Sequence, residues 1–182
     1  LSASGPWPTR VVDANGSSIA LVTLSPNGSA AVRIEVSVPS GALAGANVST
    51  AVNATAIGDT SRSRSAILTT RAAVLRQFAI LGDTSSATAL AGTNVSVNLT
   101  VQNLGNADEN VTLRVNCQGP SACLTWVALG STTLAIARGG SAVVPVTLRT
   151  SPSAAGGAYS FEFVAQSTVE ASAAANATFA LT

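Results

Sequence analysis

The chain has 182 residues, of which 47% are hydrophobic and only 9% are charged, and its formal net charge is +1. The charged fraction is far below the roughly 25% of ordinary soluble proteins, so glycans or neighbouring subunits are expected to cover the surface. The balanced charge excludes proteins that bind nucleic acid through a strongly basic surface, and no run of about 18 apolar residues is present to form a membrane span.

Apolar and polar residues alternate with a period of two along the chain, which predicts short β-strands and no helix. In AVRIEVSVP, Val32, Ile34 and Val36 fall on one face and Arg33 and Glu35 on the other. The same pattern returns in ENVTLRVNC, SAVVPVTLR, YSFEFVAQ and ANATFALT, and Asn-Gly and Gly-Gly turns separate the segments. The predicted fold class is therefore an all-β sandwich.

The sequence also contains an internal repeat. SPNGSAAVRIEVSVPSGALAG, which is residues 25–45, aligns with ARGGSAVVPVTLRTSPSAAGG, which is residues 137–157. Trp7 and Trp126 precede the two copies and are each expected to plug one end of a sandwich rather than to stack on a sugar. Because repeats of this length are whole domains, we predict two tandem immunoglobulin-like sandwiches, at residues 1–72 and 73–182.

The first of these domains is predicted to be incomplete. Residues 1–70 match only the later part of the repeat, and no counterpart of residues 78–112 lies in front of them. A sandwich without its opening two or three strands would expose its core and a strand edge. Two explanations stay open: the chain is part of a longer tandem array, or another chain supplies the strands by β-strand addition and so forms polymers.

Eight Asn-x-Ser/Thr sequons are the strongest functional signal in the sequence. Most of their asparagines fall on the polar phase of a predicted strand or in an Asn-Gly turn, where a glycan would stand in solvent. We therefore predict N-glycosylation, with accidental matches in a Ser/Thr-rich β protein as the alternative. The predicted acceptors are Asn15, Asn27, Asn47, Asn53, Asn94, Asn98, Asn110 and Asn176.

Cys117 and Cys123 flank a Gly-Pro turn in NCQGPSACLTW, and this turn favours a disulfide between them. Two unrelated buried thiols are the alternative. Two cysteines cannot form a four-ligand zinc site, and the chain has no histidine to complete one. We predict no metal site and no cofactor.

No enzymatic activity is predicted either. The absence of histidine removes the usual catalytic triads, and nothing brings any of the eight acidic residues together as a glycosidase pair. A calcium site at Asp108-Glu109 is a weaker alternative to a solvated loop. In SRSRS, Arg62 and Arg64 are expected on the outward face of an edge strand, where they would discourage mispairing, and not against nucleic acid.

GTNVSVNLTVQNLGNADENVTLRV, then Trp126, GGSAVVPVTL and SPSAAGGAYSFEFVAQS, resembles the immunoglobulin-like tandem repeats of prokaryotic, in particular archaeal, cell-surface proteins. Similar modules accompany secreted glycosidases. The resemblance covers residues 74–182 and part of residues 1–70. It implies seven-stranded sandwiches, often in tandem, at the cell surface, and it implies no catalytic residues.

These features together favour a structural subunit of an extracellular surface filament, either a pilus-like fibre or a surface layer. Its expected partners are further copies of itself, in a head-to-tail homopolymer built by donor-strand complementation, and N-linked glycans. The alternative is a carbohydrate-binding or spacer module of a secreted glycosidase or a cell-surface adhesin.

Overall fold

The computed structural model describes residues 1–120 and 122–182. In this part of the chain all regular structure is β-strand apart from one 3-10 turn at Leu124–Trp126, which confirms the predicted all-β fold. No helix in the described residues is long and apolar enough to cross a bilayer. The chain divides into two compact units, Leu1–Ala73 (unit 1) and Val74–Thr182 (unit 2).

The strands are numbered along the chain. Those of unit 1 are β1 (Ser2–Ser4), β2 (Thr9–Val12), β3 (Arg33–Val36), β4 (Asn47–Thr55) and β5 (Ser63–Arg71). Those of unit 2 are β6 (Phe78–Gly82), β7 (Ser86–Ala87), β8 (Asn94–Asn103), β9 (Glu109–Gln118), β10 (Val127–Leu129), β11 (Thr133–Ile136), β12 (Ser141–Arg149), β13 (Tyr159–Ser167) and β14 (Ala174–Leu181).

Unit 2 is an immunoglobulin-like β-sandwich of two sheets. One sheet has the order β10-β12-β8-β6 and the other has the order β11-β9-β13-β14-β7. All pairs are antiparallel except β14 with β7. Alternation supplies the core: Tyr159, Phe161, Phe163 and Ala165 of β13 are buried, whereas the residues between them are only partly covered. Both sheets therefore present one apolar face to a shared interior.

Unit 1 contains strands that pair as five strands of unit 2 do. Its two sheets have the orders β1-β4-β5 and β2-β3. β1, β4 and β5 correspond to β9, β13 and β14, while β2 and β3 correspond to β10 and β12. No strand among the described residues of unit 1 takes the places of β6, β7 and β8. The first sandwich is therefore open along one side.

The distribution of buried residues follows from this difference. Of the 23 buried hydrophobic residues in the described chain, 20 form the core of unit 2. Unit 1 contributes only Val11, Val12 and Ala72. Most of the apolar surface that unit 1 would bury in a complete sandwich is thus left at or near solvent.

Candidate functional site: the open face of unit 1

The site is the inner face of unit 1, which we call the open face. Directly paired residues share a face, so Thr50 and Leu68 lie on it together, and so do Val52 and Ala66. In unit 2 the corresponding strand pair, β13–β14, buries Phe161 opposite Phe179. Leu68, in contrast, is 39% exposed, because no strand stands over it.

A groove with a volume of about 720 Å³ lies at one end of the open face. One wall is the segment Leu21–Leu24, whose two leucines are exposed, and the other is formed by the ends of β4 and β5 around Ala54 and Arg64. The alternation of apolar and polar residues does not predict this groove. Two leucines in a stretch without strand-like pairing were its only signal.

The expected position of Arg64 was wrong. Arg64 of β5 pairs with Ala54 of β4, and this pair shares the face of Val52 and Ala66. The Arg64 side chain therefore lies on the inner face and lines the groove. Arg62 precedes the strand and forms an ion pair with Asp59 (Nε–Oδ2 3.3 Å). The prediction failed because the spacing after the aligned residues Gly45 and Gly157 differs. Val48 is the first inner-face residue of β4 and lies three residues after Gly45, whereas Tyr159 is the first inner-face residue of β13 and lies two residues after Gly157. A slip of one residue reverses the faces of a strand.

The edge of β3 borders the open face and is unpaired. The N–H of Ser37 donates to the carbonyl of Pro8, the residue before β2 begins. Because backbone groups alternate in direction along a strand, the N–H groups of Ile34 and Val36 point the other way, toward the free edge. Their side chains point to the inner face. Two residues therefore combine free backbone donors with apolar side chains.

The length of β3 reflects its missing partner. β12 spans nine residues, and its first part, Ser141–Val144, pairs only with β8. The repeat aligns Ser29–Val32 with that part, but these residues are in no strand. β3 begins at Arg33, where pairing with β2 begins. Segment 29–32 has the sequence of a strand and lacks only a neighbour.

All eight predicted glycan acceptors are exposed. Asn47 and Asn53 lie on the outward face of β4, opposite to Thr50, and Asn15 and Asn27 lie in turns. None of the eight lines the groove. Glycans on Asn47 and Asn53 would therefore stand on the side of β4 that faces away from the open face.

Two acceptors of unit 2 are engaged by carboxylates. The Nδ2 group of Asn98 donates to Asp83 (3.0 Å), and Nδ2 of Asn176 donates to Glu162 (2.9 Å). Hydrogen bonds from Asn116 and then from Asn176 lower the pKa of Glu162 below its ordinary value of 4.5. An N-linked glycan replaces one of the two hydrogens on Nδ2, so the remaining N–H can still donate.

Cys117 and Cys123 form a disulfide, with their Cα atoms 6.0 Å apart. It links the end of β9 to the segment before the 3-10 turn, beside Trp126. Trp126 is buried against Tyr159, with 4.8 Å between ring centroids, and Trp7 is partly buried. Trp126 thus fills an end of the unit 2 core and is not available to stack on a sugar.

The acidic residues of unit 2 are used in structural contacts. Arg76 forms ion pairs with Glu109 (2.6 Å) and Glu170 (3.3 Å), and Asp108 accepts a hydrogen bond from the backbone N–H of Arg138 (2.8 Å). Among the described residues, no three metal-ligating side chains come together.

No protein-family model and no curated protein matches the chain. Among solved structures, it is similar to the ASH / PapD-like domain of human CEP192 (PapD-like domain 7) at 15% sequence identity and a TM-score of 0.38. That match covers 56% of this chain and 81% of the other. A likeness at this level carries no argument about function, which has to come from the open face itself.

Proposed function

We propose that the chain is a structural subunit of an extracellular, N-glycosylated surface filament, either a pilus-like fibre or a surface layer of an archaeal cell. In this proposal a neighbouring subunit completes unit 1 by adding backbone to the free edge of β3. The observation that carries the proposal is the coincidence of that free edge with an apolar inner face. An unpaired edge of this kind is a template for a further strand.

The energetic reason for assembly is the exposed apolar surface. Complete burial of a fully exposed Val or Leu side chain contributes about 1.5–3 kcal/mol. Val32, Leu68 and the groove leucines are 37–60% exposed, so each would contribute roughly half of that. The bound strand would also satisfy the free N–H groups of β3, and pulling the subunits apart would expose both again. Such a joint resists force, which is what a filament requires.

Other features agree with an extracellular location. Disulfides persist in oxidising compartments, and the Cys117–Cys123 bond is of this kind. Eight exposed sequons offer glycans to a surface that carries very few charges. The resemblance of residues 74–182 to archaeal surface repeats is the basis for proposing an archaeal cell.

Electron microscopy and glycopeptide mass spectrometry of protein isolated from its native cells test the proposal. We expect fibres or sheets built from this chain, with glycans on several of the eight asparagines. A substitution of Ile34→Pro, which removes an N–H at the free edge, should weaken assembly, whereas Ile34→Ala, which keeps this N–H, should weaken it less. A strictly monomeric protein with unmodified asparagines would refute the proposal. Retention of that monomer on a polysaccharide matrix would favour the carbohydrate-binding alternative.

A further inference from the structure

We infer that the open face accepts one extended strand of a neighbouring polypeptide, antiparallel to β3, with aliphatic side chains at three alternate positions and small uncharged residues between them. This inference rests on the proposed function and specifies what the neighbour must present. The pattern required is that of β8, because unit 2 shows how the equivalent edge is completed.

In unit 2, β8 lies antiparallel to β12, and every second pair of opposite residues along the two strands is buried. Leu99 pairs with Val144, and Val97 pairs with Val146. All four side chains are at most 2% exposed. The β12–β8 pair therefore shows how the edge of β12 that corresponds to the free edge of β3 binds a strand. This strand, β8, has no counterpart in unit 1.

The internal repeat transfers this register to unit 1. Gly28 and Gly140 align, which places Val32, Ile34 and Val36 in the positions of Val144, Val146 and Leu148. All three are aliphatic, as in β12. A strand bound to this edge would place its own aliphatic residues beside them, over β4 and β5, where Leu68 is now uncovered.

The outward face of β3 limits the charge of the incoming strand. Arg33 and Glu35 occupy the positions that β12 gives to Pro145 and Thr147, whose partners on β8 are the uncharged Asn98 and Ser96. Glu35 already forms an ion pair with Arg10 (2.6 Å). Because like charges directly opposite each other destabilise a sheet, the incoming strand carries no acid opposite Glu35 and no base opposite Arg33.

The number of strands excludes one source. The described chain has one set of strands β6–β8 for two sandwiches. If a neighbour lent its own β8, its unit 2 would lose Val97, Leu99 and Val101, all of which are buried in its core. One open face per chain would remain, however the copies exchanged these strands. The donor is therefore a strand with the pattern of β8 that is not part of a neighbour's folded unit 2.

A peptide with the β8 sequence, Thr93–Asn103 (TNVSVNLTVQN), tests the inference on the intact chain. Its binding is measured by fluorescence anisotropy of a labelled peptide. The matched control is a peptide of the same composition with the aliphatic residues moved by one position, which puts them on the wrong face. We expect saturable binding of the β8 peptide and at least about tenfold weaker binding of the control, a difference of one lost buried contact or hydrogen bond.

The Ile34→Pro variant should lose about tenfold in affinity for the peptide, and Ile34→Ala should lose less, since it keeps the edge donor. Nuclear Overhauser contacts from the peptide's second valine to Ile34 should report the antiparallel register. Equal binding of the two peptides would show a non-specific apolar groove and would overturn the inference. So would no binding, a parallel orientation, or a discrete dimer of the chain in which the Ile34 amide is protected without any peptide.

These results are separable from those of the proposed function. Specific peptide binding by a chain that forms no filament in its native cells would keep the binding site and refute the filament. Filaments that form as readily with Ile34→Pro as with the wild-type chain would refute the binding site and leave the filament.

Discussion

Single side chains show how the outward face of unit 2 is held together. Glu162 of β13 accepts hydrogen bonds from Asn116 of β9 (3.1 Å) and from Asn176 of β14 (2.9 Å). One carboxylate therefore bridges three neighbouring strands. Both bonds favour the ionised form and lower the pKa of Glu162.

The substitution Asn116→Ala should raise the pKa of Glu162 toward 4.5, because it removes the donor with the largest effect. A carboxyl group with a lowered pKa in the folded state contributes stability above its unfolded pKa and loses that contribution as pH falls through the folded value. Wild-type unit 2 should therefore lose more stability between pH 6 and pH 3 than the variant does. NMR titration of Glu162 and denaturation at the two pH values measure this, with Asn47→Ala as a distant control. An unchanged pKa would contradict the assignment.

Strands β3 and β12 have the same sequence pattern, so the difference between them shows the effect of a neighbouring strand. β12 lies between two partners, whereas β3 has a partner on one side only. Half of the backbone groups of β3 are consequently open to solvent, and the strand is shorter by five residues. The length of β3 is therefore set by the strands that pair with it and not by its own residues.

Amide hydrogen exchange should show this asymmetry residue by residue. We expect the N–H groups of Ile34 and Val36 to exchange much faster than those of Glu35 and Ser37, which face β2. In unit 2, the amides of Val144 and Val146 face β8 and should be protected by orders of magnitude more than their counterparts in β3. Equal protection of Ile34 and Glu35 would show that the edge is already covered.

The molecule as a whole consists of two units of very different core size. Unit 2 has 20 buried hydrophobic residues and a disulfide, while unit 1 has three such residues. Hydrophobic burial is the main favourable term in folding. Unit 1 should therefore be much the less stable of the two in the isolated chain.

Each unit contains one tryptophan, so fluorescence can follow the two separately. We expect Trp7, observed in a Trp126→Phe variant, to report unfolding at a clearly lower denaturant concentration than Trp126 does in a Trp7→Phe variant. A saturating β8 peptide should shift only the Trp7 transition upward, because it binds only folded unit 1. A single shared transition would contradict the independence of the two units.

The sequence by itself determined the long alternating strands β9, β12, β13 and β14, the repeat and the polar phase of the glycan acceptors, because alternation with a period of two is a local property. The Gly-Pro turn likewise indicated the Cys117–Cys123 bond, since only five residues separate the two cysteines. The missing front of unit 1 followed from comparing the two copies of the repeat.

Only the tertiary structure decided which face Arg64 occupies, how Leu21–Leu24 form a groove wall, and which backbone donors of β3 are free. Each of these depends on the partner and register of a strand, which hydrogen bonds between distant residues set. A shift of one residue in that pairing is almost invisible in an aligned sequence, yet it moves a side chain from solvent to the core face.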